Sequence, residues 1–301
     1  MFPTLFYDLI IALVAASIPL FFVELARRRP RVADKKRYGI VSVLLTAVWL
    51  IVVYGSFVEP KILTVKTYPI ALGATGTRLR IAVISDLHLG AYRHADWTAK
   101  IVKRINALRP DAVVLAGDFV ATEAGTAGFA PLRDLETRFG AYAVLGNWDY
   151  RIGAIEVRKA IESASVEVLT NESVPLNVDG KTVRLVGLDD LTFGMPDWPA
   201  ALASVQPGDV VIAAAHNPDA VQRAEHENVD LVVSGHTHCG QVRLPFIGPV
   251  PKLPTDLGRR YDCGVFGFGP VKLFITPGVG ETGARARLFN PPEISLLDLT
   301  L

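Results

Sequence analysis

The sequence has few of the residues that mark several large classes of protein. Its 301 residues include two cysteines, Cys239 and Cys263, which excludes a disulfide-rich scaffold and a zinc cluster built from thiolates. Basic and acidic residues nearly balance, with a formal net charge of +1, so we expect no nucleic-acid partner. Histidine is also scarce, and the positions of the six histidines are therefore informative.

Charge is missing altogether from one long segment near the start of the chain. Gly39 to Val58 contains no charged residue, and Leu9 to Val23 forms another, almost wholly apolar run. About 20 apolar residues cross the hydrocarbon core of a bilayer, so the two runs predict two transmembrane helices. The alternative is a pair of buried helices in a soluble domain. A cleaved signal peptide is disfavoured, because the positive charges follow the first run instead of preceding it.

The distribution of charge around these runs predicts their orientation. A basic loop at residues 27–37 joins them, whereas residues 1–8 contain no lysine or arginine. Short basic loops stay in the cytoplasm, so the rest of the chain is expected on the outer face of the membrane. Four basic residues soon after the second run oppose this assignment: Lys61, Lys66, Arg78 and Arg80. We divide the chain into a membrane anchor, residues 1–58, and a soluble domain, residues 59–301.

The soluble domain shows the pattern of an α/β fold, in which short apolar runs alternate with amphipathic stretches. The predicted buried strands are Arg80–Ile84, Ala112–Ala116, Tyr142–Leu145, Val183–Val186, Val210–Ala214 and Leu231–Val233. The predicted helices are Asp96–Leu108, Ala154–Ala164 and Asp219–Glu225. Polar motifs stand directly after the strands, which is where open α/β sheets place their ligand sites.

Five strand ends carry side chains that could bind metal ions. In chain order these are Asp86 and His88, Asp118, Asn147 and Asp149, His216, and His236 and His238. Alone, an aspartate at a strand end is more often a helix cap, and a lone histidine is usually a hydrogen-bonded buried imidazole. Together, on one edge of one sheet, they predict a metal site, because buried Asp86 and Asp118 would repel each other without cations between them.

The order of these motifs resembles that of the calcineurin-like metallophosphoesterases, from about Arg80 to the end of the chain. The resemblance implies a four-layer α/β/β/α sandwich, here preceded by the two transmembrane helices. It also implies two divalent metal ions. Asp86, His88 and His238 would hold the first ion. Asn147, His216 and His236 would hold the second, and Asp118 would bridge the two. Oxygen and imidazole ligands suit manganese, iron, zinc or magnesium without selecting among them.

The resemblance implies that the protein hydrolyses a phosphoester or pyrophosphate bond at this dinuclear site. Gly240–Pro245 and Pro291–Ile294 further resemble a membrane-tethered bacterial branch. This implies the bacterial inner membrane and a phosphorylated small-molecule or lipid substrate close to it. One alternative is a UDP-2,3-diacylglucosamine pyrophosphatase of lipid A synthesis, whose substrate is made in the cytoplasm. The other is an inactive membrane-tethered binding protein, which the full set of seven ligands disfavours.

Trp148 departs from the family pattern. Most members have a histidine there that protonates the leaving oxygen, and an indole cannot transfer a proton at neutral pH. The substitution predicts a preference for pyrophosphates or activated diesters over alkyl phosphomonoesters. His94 as a substitute acid, and Trp148 as a stacking surface or a core aromatic, are alternatives. Asn147 and Asp149 are the candidate catalytic residues, although Asp149 has no histidine to orient here.

Cys239 is a second departure, because it follows His238 where relatives usually have glycine. We expect a small residue in a tight turn. A soft metal ligand, an oxidation-sensitive switch and a disulfide with Cys263 are the alternatives. Four arginines could contact the substrate phosphate or be solvated surface charges: Arg243, Arg259, Arg260 and Arg287.

Overall fold

The computed structural model describes residues 2–28, 35–73 and 76–301. Two long helices come first, α1 at Phe2–Arg28 and α2 at Lys35–Val53. The second continues through a π-helical turn at Tyr54–Val58 and a 3-10 turn at Glu59–Lys61. Residues 29–34 of the predicted basic loop lie outside the described residues.

Both helices are long and apolar enough to cross a membrane, over Phe6–Leu25 and Lys35–Lys61. They pack against each other, and Trp49 Nε1 donates a hydrogen bond to the carbonyl of Ala15 over 2.9 Å. Most of their large apolar side chains are nevertheless exposed, among them Leu9, Leu13, Leu20, Val43 and Leu44. Helices of a soluble core would bury these side chains, so the interpretation as two buried helices does not fit the structure.

Two six-stranded sheets form the domain that follows. The first sheet has the order β1 (Thr64–Ala71), β14 (Glu293–Thr300), β2 (Arg78–Ile84), β3 (Ala112–Ala116), β4 (Ala141–Val144) and β5 (Glu167–Val168). The second has the order β12 (Gly264–Phe268), β13 (Val271–Ile275), β9 (Leu231–Ser234), β8 (Val210–Ala214), β7 (Lys181–Gly187) and β6 (Glu172–Val178). A separate two-stranded ribbon pairs β10 (Arg243–Leu244) with β11 (Gly248–Pro249).

The strands that matter for the site run parallel within each sheet. Strands β2, β3, β4 and β5 are parallel in the first sheet, and β7, β8, β9 and β13 are parallel in the second. The strands β6, β12 and β14 are antiparallel to their neighbours β7, β13 and β2. Each sheet therefore gathers the carboxyl ends of several strands, with the loops that follow them, at one edge.

Alternating side chains hold the two sheets face to face. Ile81 of β2 packs in one apolar cluster with Leu185 and Ile212 of the second sheet. Ile84, on the other side of the same strand, packs with Ile101 of a helix that covers the first sheet. This alternation follows from the two-residue period of a strand, and it gives each sheet one face for its partner and one for helices.

Helices complete the outer layers. The helices α3 (Ala95–Leu108) and α4 (Asn147–Glu162) lie on the first sheet, and α5 (Trp198–Leu202) and α6 (Val221–Ala224) lie on the second. The predicted four-layer α/β/β/α arrangement is therefore confirmed. All six predicted strands are present. The helix predicted at Ala154–Ala164 corresponds to the part of α4 that follows a kink at Gly153, where φ is 143°, and a further helical segment from Asn147 precedes the kink. The one predicted at Asp219–Glu225 is a 3-10 turn followed by the short α6.

Candidate metal centre

The seven predicted ligands come from both sheets. Asp86 and His88 follow β2, Asp118 follows β3, Asn147 begins α4 after β4, His216 follows β8, and His236 and His238 follow β9. The prediction that they share one edge of one sheet was wrong. The ligands follow strands of two stacked sheets, whose carboxyl edges meet at the site. The sequence did not show this, because an apolar run does not reveal which sheet its strand joins.

Six of the seven residues form two compact groups that could each hold a metal ion. The first consists of Asp86, His88 and His238, and the second of Asp118, His216 and His236. Within each group the candidate ligand atoms lie within 4.8 Å of one another. The first group has the three residues that the resemblance assigned to one ion. The second contains His216 and His236, which it assigned to the other ion, together with Asp118, which it assigned to both.

The carboxylate of Asp118 lies between the two groups. Its Oδ2 is 3.3 Å from Nε2 of His216 in its own group and 3.6 Å from Nε2 of His88 in the other. Its Oδ1 accepts a hydrogen bond from the backbone N–H of Trp148 over 2.7 Å, which fixes the orientation of the carboxylate group. One oxygen thus faces the ligands of both groups, as a bridging position requires.

The residues fit a pair of bound cations. Asp86 Oδ1 and Asn147 Oδ1 are buried and have no hydrogen-bond partner among the described residues, whereas buried polar atoms are normally satisfied. Imidazole nitrogens also face each other closely, with 3.2 Å between Nε2 of His88 and Nε2 of His238. Oxygen and nitrogen atoms aimed at common points are the usual arrangement of metal ligands.

Electrostatics in the site set the protonation of the histidines. Burial, and then the neighbouring imidazole charges, lower the pKa of His88 and of His236 to about 4, although nearby carboxylates act against this. Burial also acts to lower the pKa of His216, but the Asp118 carboxylate outweighs it and raises that pKa to about 10. Histidine must be neutral to bind a metal, so His216 would release its proton when a cation enters.

The backbone is strained at most of these positions. Five of the seven predicted ligands have a positive φ: Asp86, His88, Asp118, His236 and His238. The left-handed region costs a non-glycine residue roughly 1–2 kcal/mol. It also turns the chain sharply as it leaves the strand, so the side chain points across the sheet edge. Such strain clusters at functional sites.

Glycine permits the two sheets to approach at the site. Gly117 has φ +85°, and a Cβ there would lie 2.7 Å from Nδ1 of His216 and 2.8 Å from the backbone nitrogen of Gly146. Any side chain at this position would push the first sheet away from the second. The glycine that precedes Asp118 is therefore a packing requirement of the centre.

Asp149 lies behind the ligands. Its fully buried carboxylate accepts backbone hydrogen bonds from Asp118, Phe119 and Gly146 at 3.0, 2.8 and 2.9 Å. Burial, followed by the charge of Asp118, raises the pKa of Asp149 to about 8, and the backbone N–H donors act in the opposite direction. Its bond from the backbone N–H of Gly146 is one half of a capping box, because Asp149 is the third residue of α4 and glycine has no side chain to form the other half.

Trp148 lies beside the centre, at the position where the family has histidine. Its ring meets that of His88 edge-on, with 5.7 Å between centroids, and the guanidinium of Arg151 lies 5.5 Å above it. His94 is exposed immediately before α3. Within the described residues, its side chain has no hydrogen bond to any predicted ligand.

Three of the four arginines suggested for substrate contact are engaged elsewhere. Arg287 is fully buried and donates to the carbonyls of Pro277, Gly280 and Asn290, so it supports a loop and does not contact the substrate. Arg243 forms an ion pair with Asp262 over 2.7 Å. Arg259 donates to two carbonyls, those of Ile247 and Pro249. Arg260 is exposed, with its guanidinium 5.9 Å above the ring of Tyr261.

The two cysteines form a disulfide, with 5.2 Å between the Cα atoms of Cys239 and Cys263. Cys239 does lie in a tight turn, at φ +51°, as expected.

Two residues that support the proposed ligands were not predicted from the sequence. Ser85 donates to Asp86 Oδ2, and Asn290 Nδ2 donates to the carbonyl of His238 over 2.7 Å. Neither carries a signal by itself, because serine and asparagine are common at strand ends and turns.

Similarity to known proteins agrees with this geometry. Residues 79–240 match the family of calcineurin-like phosphoesterases. The metallophosphoesterase YkuE of Bacillus subtilis (strain 168) is 30% identical over 257 residues, which span 82% of this chain and 88% of that protein. The phosphodiesterase YaeI of Escherichia coli (strain K12) is 29% identical over 227 residues, 73% of this chain and 82% of that protein. A "transmembrane protein with metallophosphoesterase domain" from Danio rerio is 29% identical over 278 residues, 86% of this chain and 62% of that protein. On these matches and on its two groups of candidate metal ligands, the chain belongs to the calcineurin-like phosphoesterase family and is a hydrolase of phosphoester bonds.

Proposed function

We propose that the protein hydrolyses a phosphodiester or pyrophosphate bond in a membrane-proximal substrate at a centre of two divalent cations. The observation that carries this proposal is the position of Asp118 Oδ2, within 3.6 Å of imidazole nitrogens from both ligand groups. When bound, two cations activate a water molecule and neutralise the charge of the phosphoryl oxygens. The rest of the chemistry depends on how the chain positions its own side chains.

The proposed ligands are Asp86, His88 and His238 for one cation, Asn147, His216 and His236 for the other, and Asp118 for both. The unpartnered Oδ1 of Asn147 supports its inclusion. Asparagine adds no negative charge, which leaves the loaded site cationic and suited to an anionic phosphate. The hydrogen-bonding contact between Nδ1 of His216 and the carbonyl of Ala116, at 2.7 Å, orients the ring and leaves Nε2 towards the centre.

Asp149 is proposed as a positioning residue instead of a group that touches the substrate. Its three strongest contacts are backbone N–H groups of the loops after β3 and β4, the loops that carry Asp118 and Asn147. Holding these loops together sets the distance between two proposed ligands. Residues that orient metal ligands affect metal affinity without contacting the metal.

The preference for a good leaving group rests on Trp148. The indole ring lies against His88, where it covers one side of the centre but cannot deliver a proton. A phosphate leaving group, as in a pyrophosphate linkage, needs no proton, whereas an alkoxide does. His94 is exposed and, within the part of the chain that the structure describes, forms no hydrogen bond to a proposed ligand that would bring it into this role.

We also propose that residues 1–58 anchor the catalytic domain, residues 59–301, to the outer face of the bacterial inner membrane. The helices α1 and α2 lie antiparallel, as the contact between Trp49 and Ala15 requires, so the end of α1 at Arg28 and the start of α2 at Lys35 lie away from the domain. The disulfide between Cys239 and Cys263 also supports a domain on the outer face, because disulfides persist in oxidising compartments and not in the cytoplasm. Both observations oppose the lipid A pyrophosphatase alternative, which needs a cytoplasmic domain.

Replacing Asp118 tests the centre directly. In Asp118→Asn the bridging charge is lost while the shape is kept, so we expect turnover of a chromogenic phosphodiester with Mn²⁺ to disappear and the melting temperature to stay within a few degrees. Removing metal from the parent protein with a chelator should have the same effect, and adding Mn²⁺ should restore activity. The exposed residue Asp134, changed to asparagine, is the matched control. Parent-like turnover in Asp118→Asn would refute the assignment.

Replacing Asp149 separates positioning from chemistry. In Asp149→Asn an amide NH2 group meets backbone N–H donors, so the loops should separate and Mn²⁺ affinity should fall by roughly 10–100-fold. Titration calorimetry of the metal-depleted protein measures this, again with Asp134→Asn as control. Unchanged affinity together with lost turnover would instead make Asp149 a participant in the reaction.

Trp148→His restores the general acid that the family uses. Proton delivery is worth roughly 10²–10⁴-fold in rate. We therefore expect kcat for an alkyl phosphodiester to rise by at least about tenfold, with little change for a p-nitrophenyl ester. The ratio of the two rates is the measurement. A parent enzyme that already hydrolyses alkyl phosphomonoesters as well as activated diesters contradicts the proposed preference.

Reporters fused after Leu301 through a flexible linker test the orientation. We expect a β-lactamase fusion to protect cells from ampicillin and a green fluorescent protein fusion to stay dark, since the first works only outside and the second folds poorly there. The opposite pair of results would place the domain in the cytoplasm and would reopen the lipid A alternative.

A further inference from the structure

The ribbon formed by β10 and β11, which begins five residues after the proposed ligand His238, has an exposed apolar tip. We define the hairpin tip as residues 244–250. It contains four exposed large apolar side chains: Leu244, Phe246, Ile247 and Val250. Phe246 is fully exposed, and Ile247 is 62% exposed. Single exposed apolar residues are ordinary, but four within seven consecutive positions form a patch of the kind that binds a partner or a membrane.

The hairpin tip is held in shape by its surroundings. Arg259 donates to the carbonyls of Ile247, at the end of the turn, and of Pro249 in β11. Val250 donates its backbone N–H to the carbonyl of Val242 over 2.9 Å and closes the base. The exposed apolar side chains are therefore presented by an ordered structure, and contact with a partner costs little conformational entropy.

The base of the hairpin is connected to the end of the second candidate spanning helix. Arg243 N donates to Leu288 O over 2.9 Å, and Leu288 N donates to Gln241 O over 3.0 Å. The neighbouring residue, Arg287, donates its N–H to the carbonyl of Gly55 over 2.8 Å. Gly55 lies in the π-helical turn directly after α2. Two steps of backbone hydrogen bonding thus separate the hairpin from the candidate span.

The loop between β13 and β14 contacts the second candidate span, and the neighbouring Tyr92 contacts the first at the same end. Arg285 stacks on Phe57 after α2 and on Tyr92 of the domain, at 5.5 and 5.2 Å from the ring centroids. The hydroxyl of Tyr92 donates to Asp8 of α1 over 3.1 Å. The buried ion pair of Arg93 with Glu281, at 2.6 Å, ties this loop to the domain. The domain therefore has one fixed tilt relative to the helices.

The same loop reaches the proposed metal ligands. Glu59, the first residue after the anchor, accepts the backbone N–H groups of Phe289 and Asn290 at 3.0 and 2.5 Å. The side chain of Asn290 in turn donates to the carbonyl of His238. Phe289 in this loop is itself exposed, as are Phe57 and Val58 at the helix end.

We propose that the hairpin tip inserts into the surface of the bilayer that holds α1 and α2, and that it keeps the metal centre at the headgroup layer. This rests on the proposed membrane anchor and deepens the proposed function, because a centre held there takes amphiphilic phosphoesters from the membrane. The flanking cations fit lipid phosphates. Lys252 and Arg260 are exposed within about ten residues of the tip.

Site-specific labelling tests the membrane contact without relying on activity. The two native cysteines are paired, so Phe246→Cys offers one free thiol for a nitrobenzoxadiazole dye. The full chain is reconstituted in nanodiscs of phosphatidylcholine and phosphatidylglycerol, with and without spin-labelled lipid. Ile247→Cys is a second site at the tip. His226→Cys is the control, since the exposed His226 precedes β9 and lies at the edge of the second sheet opposite the centre.

We expect blue-shifted emission at positions 246 and 247, quenched at least about twofold by spin-labelled lipid, and water-like, unquenched emission at position 226. Water-like emission at both tip positions would overturn the proposal. A blue shift that spin-labelled lipid does not quench would also overturn it, because a second protein chain would then cover the tip. None of these outcomes depends on metal or turnover, so they are independent of the Asp118→Asn result.

A paired activity measurement tests the consequence for substrate. The double variant Phe246→Ser/Ile247→Ser should hydrolyse a water-soluble chromogenic diester at the parent rate and a diester with an acyl chain, presented in the same nanodiscs, roughly fivefold or more slowly. Ile155→Ser removes an apolar side chain of similar exposure, 64%, from α4 and should change neither rate. Equal loss on both substrates, or loss on neither, would contradict the proposed role.

Discussion

Two buried carboxylates that lie close to the same imidazoles form the constraint around which this domain is built. Asp86 and Asp118 are both almost inaccessible to water, and each lies within 4 Å of His88 Nε2. Burial opposes the charge on each carboxylate, but the neighbouring imidazoles outweigh it and lower the pKa of both. Such a cluster is stable only with compensating positive charge, from protons on histidine or from cations.

Much of the local structure follows from gathering these groups. The parallel strands bring their carboxyl ends to one edge of each sheet, and the face-to-face packing brings the two edges together. Gly117 allows the close approach, while left-handed backbone at Asp118 and other ligands turns the side chains inwards. Asp149 then joins two of the loops from behind. The strain and the buried charge have no packing advantage of their own, which is the physical reason to assign them to function.

The anchor and the centre are coupled through the loop before β14. Buried Arg287 holds that loop by its backbone carbonyls, and Glu59 fastens it to the end of the second helix. The contact between Asn290 and His238 carries the connection to a proposed ligand. A tether of flexible chain would let the domain tumble above the membrane. Here hydrogen bonds connect the domain to the helix end, and the proposed presentation of substrates from the membrane side depends on this connection.

The sequence by itself determined the chemical character of the protein. The uncharged segment from Gly39 to Val58 predicted a span, and the spacing of aspartate, asparagine and histidine after apolar runs predicted the ligand set and the family. These are local signals, because a strand, its exit loop and its glycine are adjacent in the chain.

Only the tertiary structure decided how distant segments combine. It divided the candidate ligands between two sheets, paired Cys239 with Cys263, turned Asp149 towards backbone N–H groups and buried Arg287 among carbonyls. It also placed the apolar hairpin beside the helix end through a contact of residues 55 and 287. Hydrophobic periodicity reports which face of an element is buried, but not which partner covers it. That choice depends on packing between residues far apart in the chain.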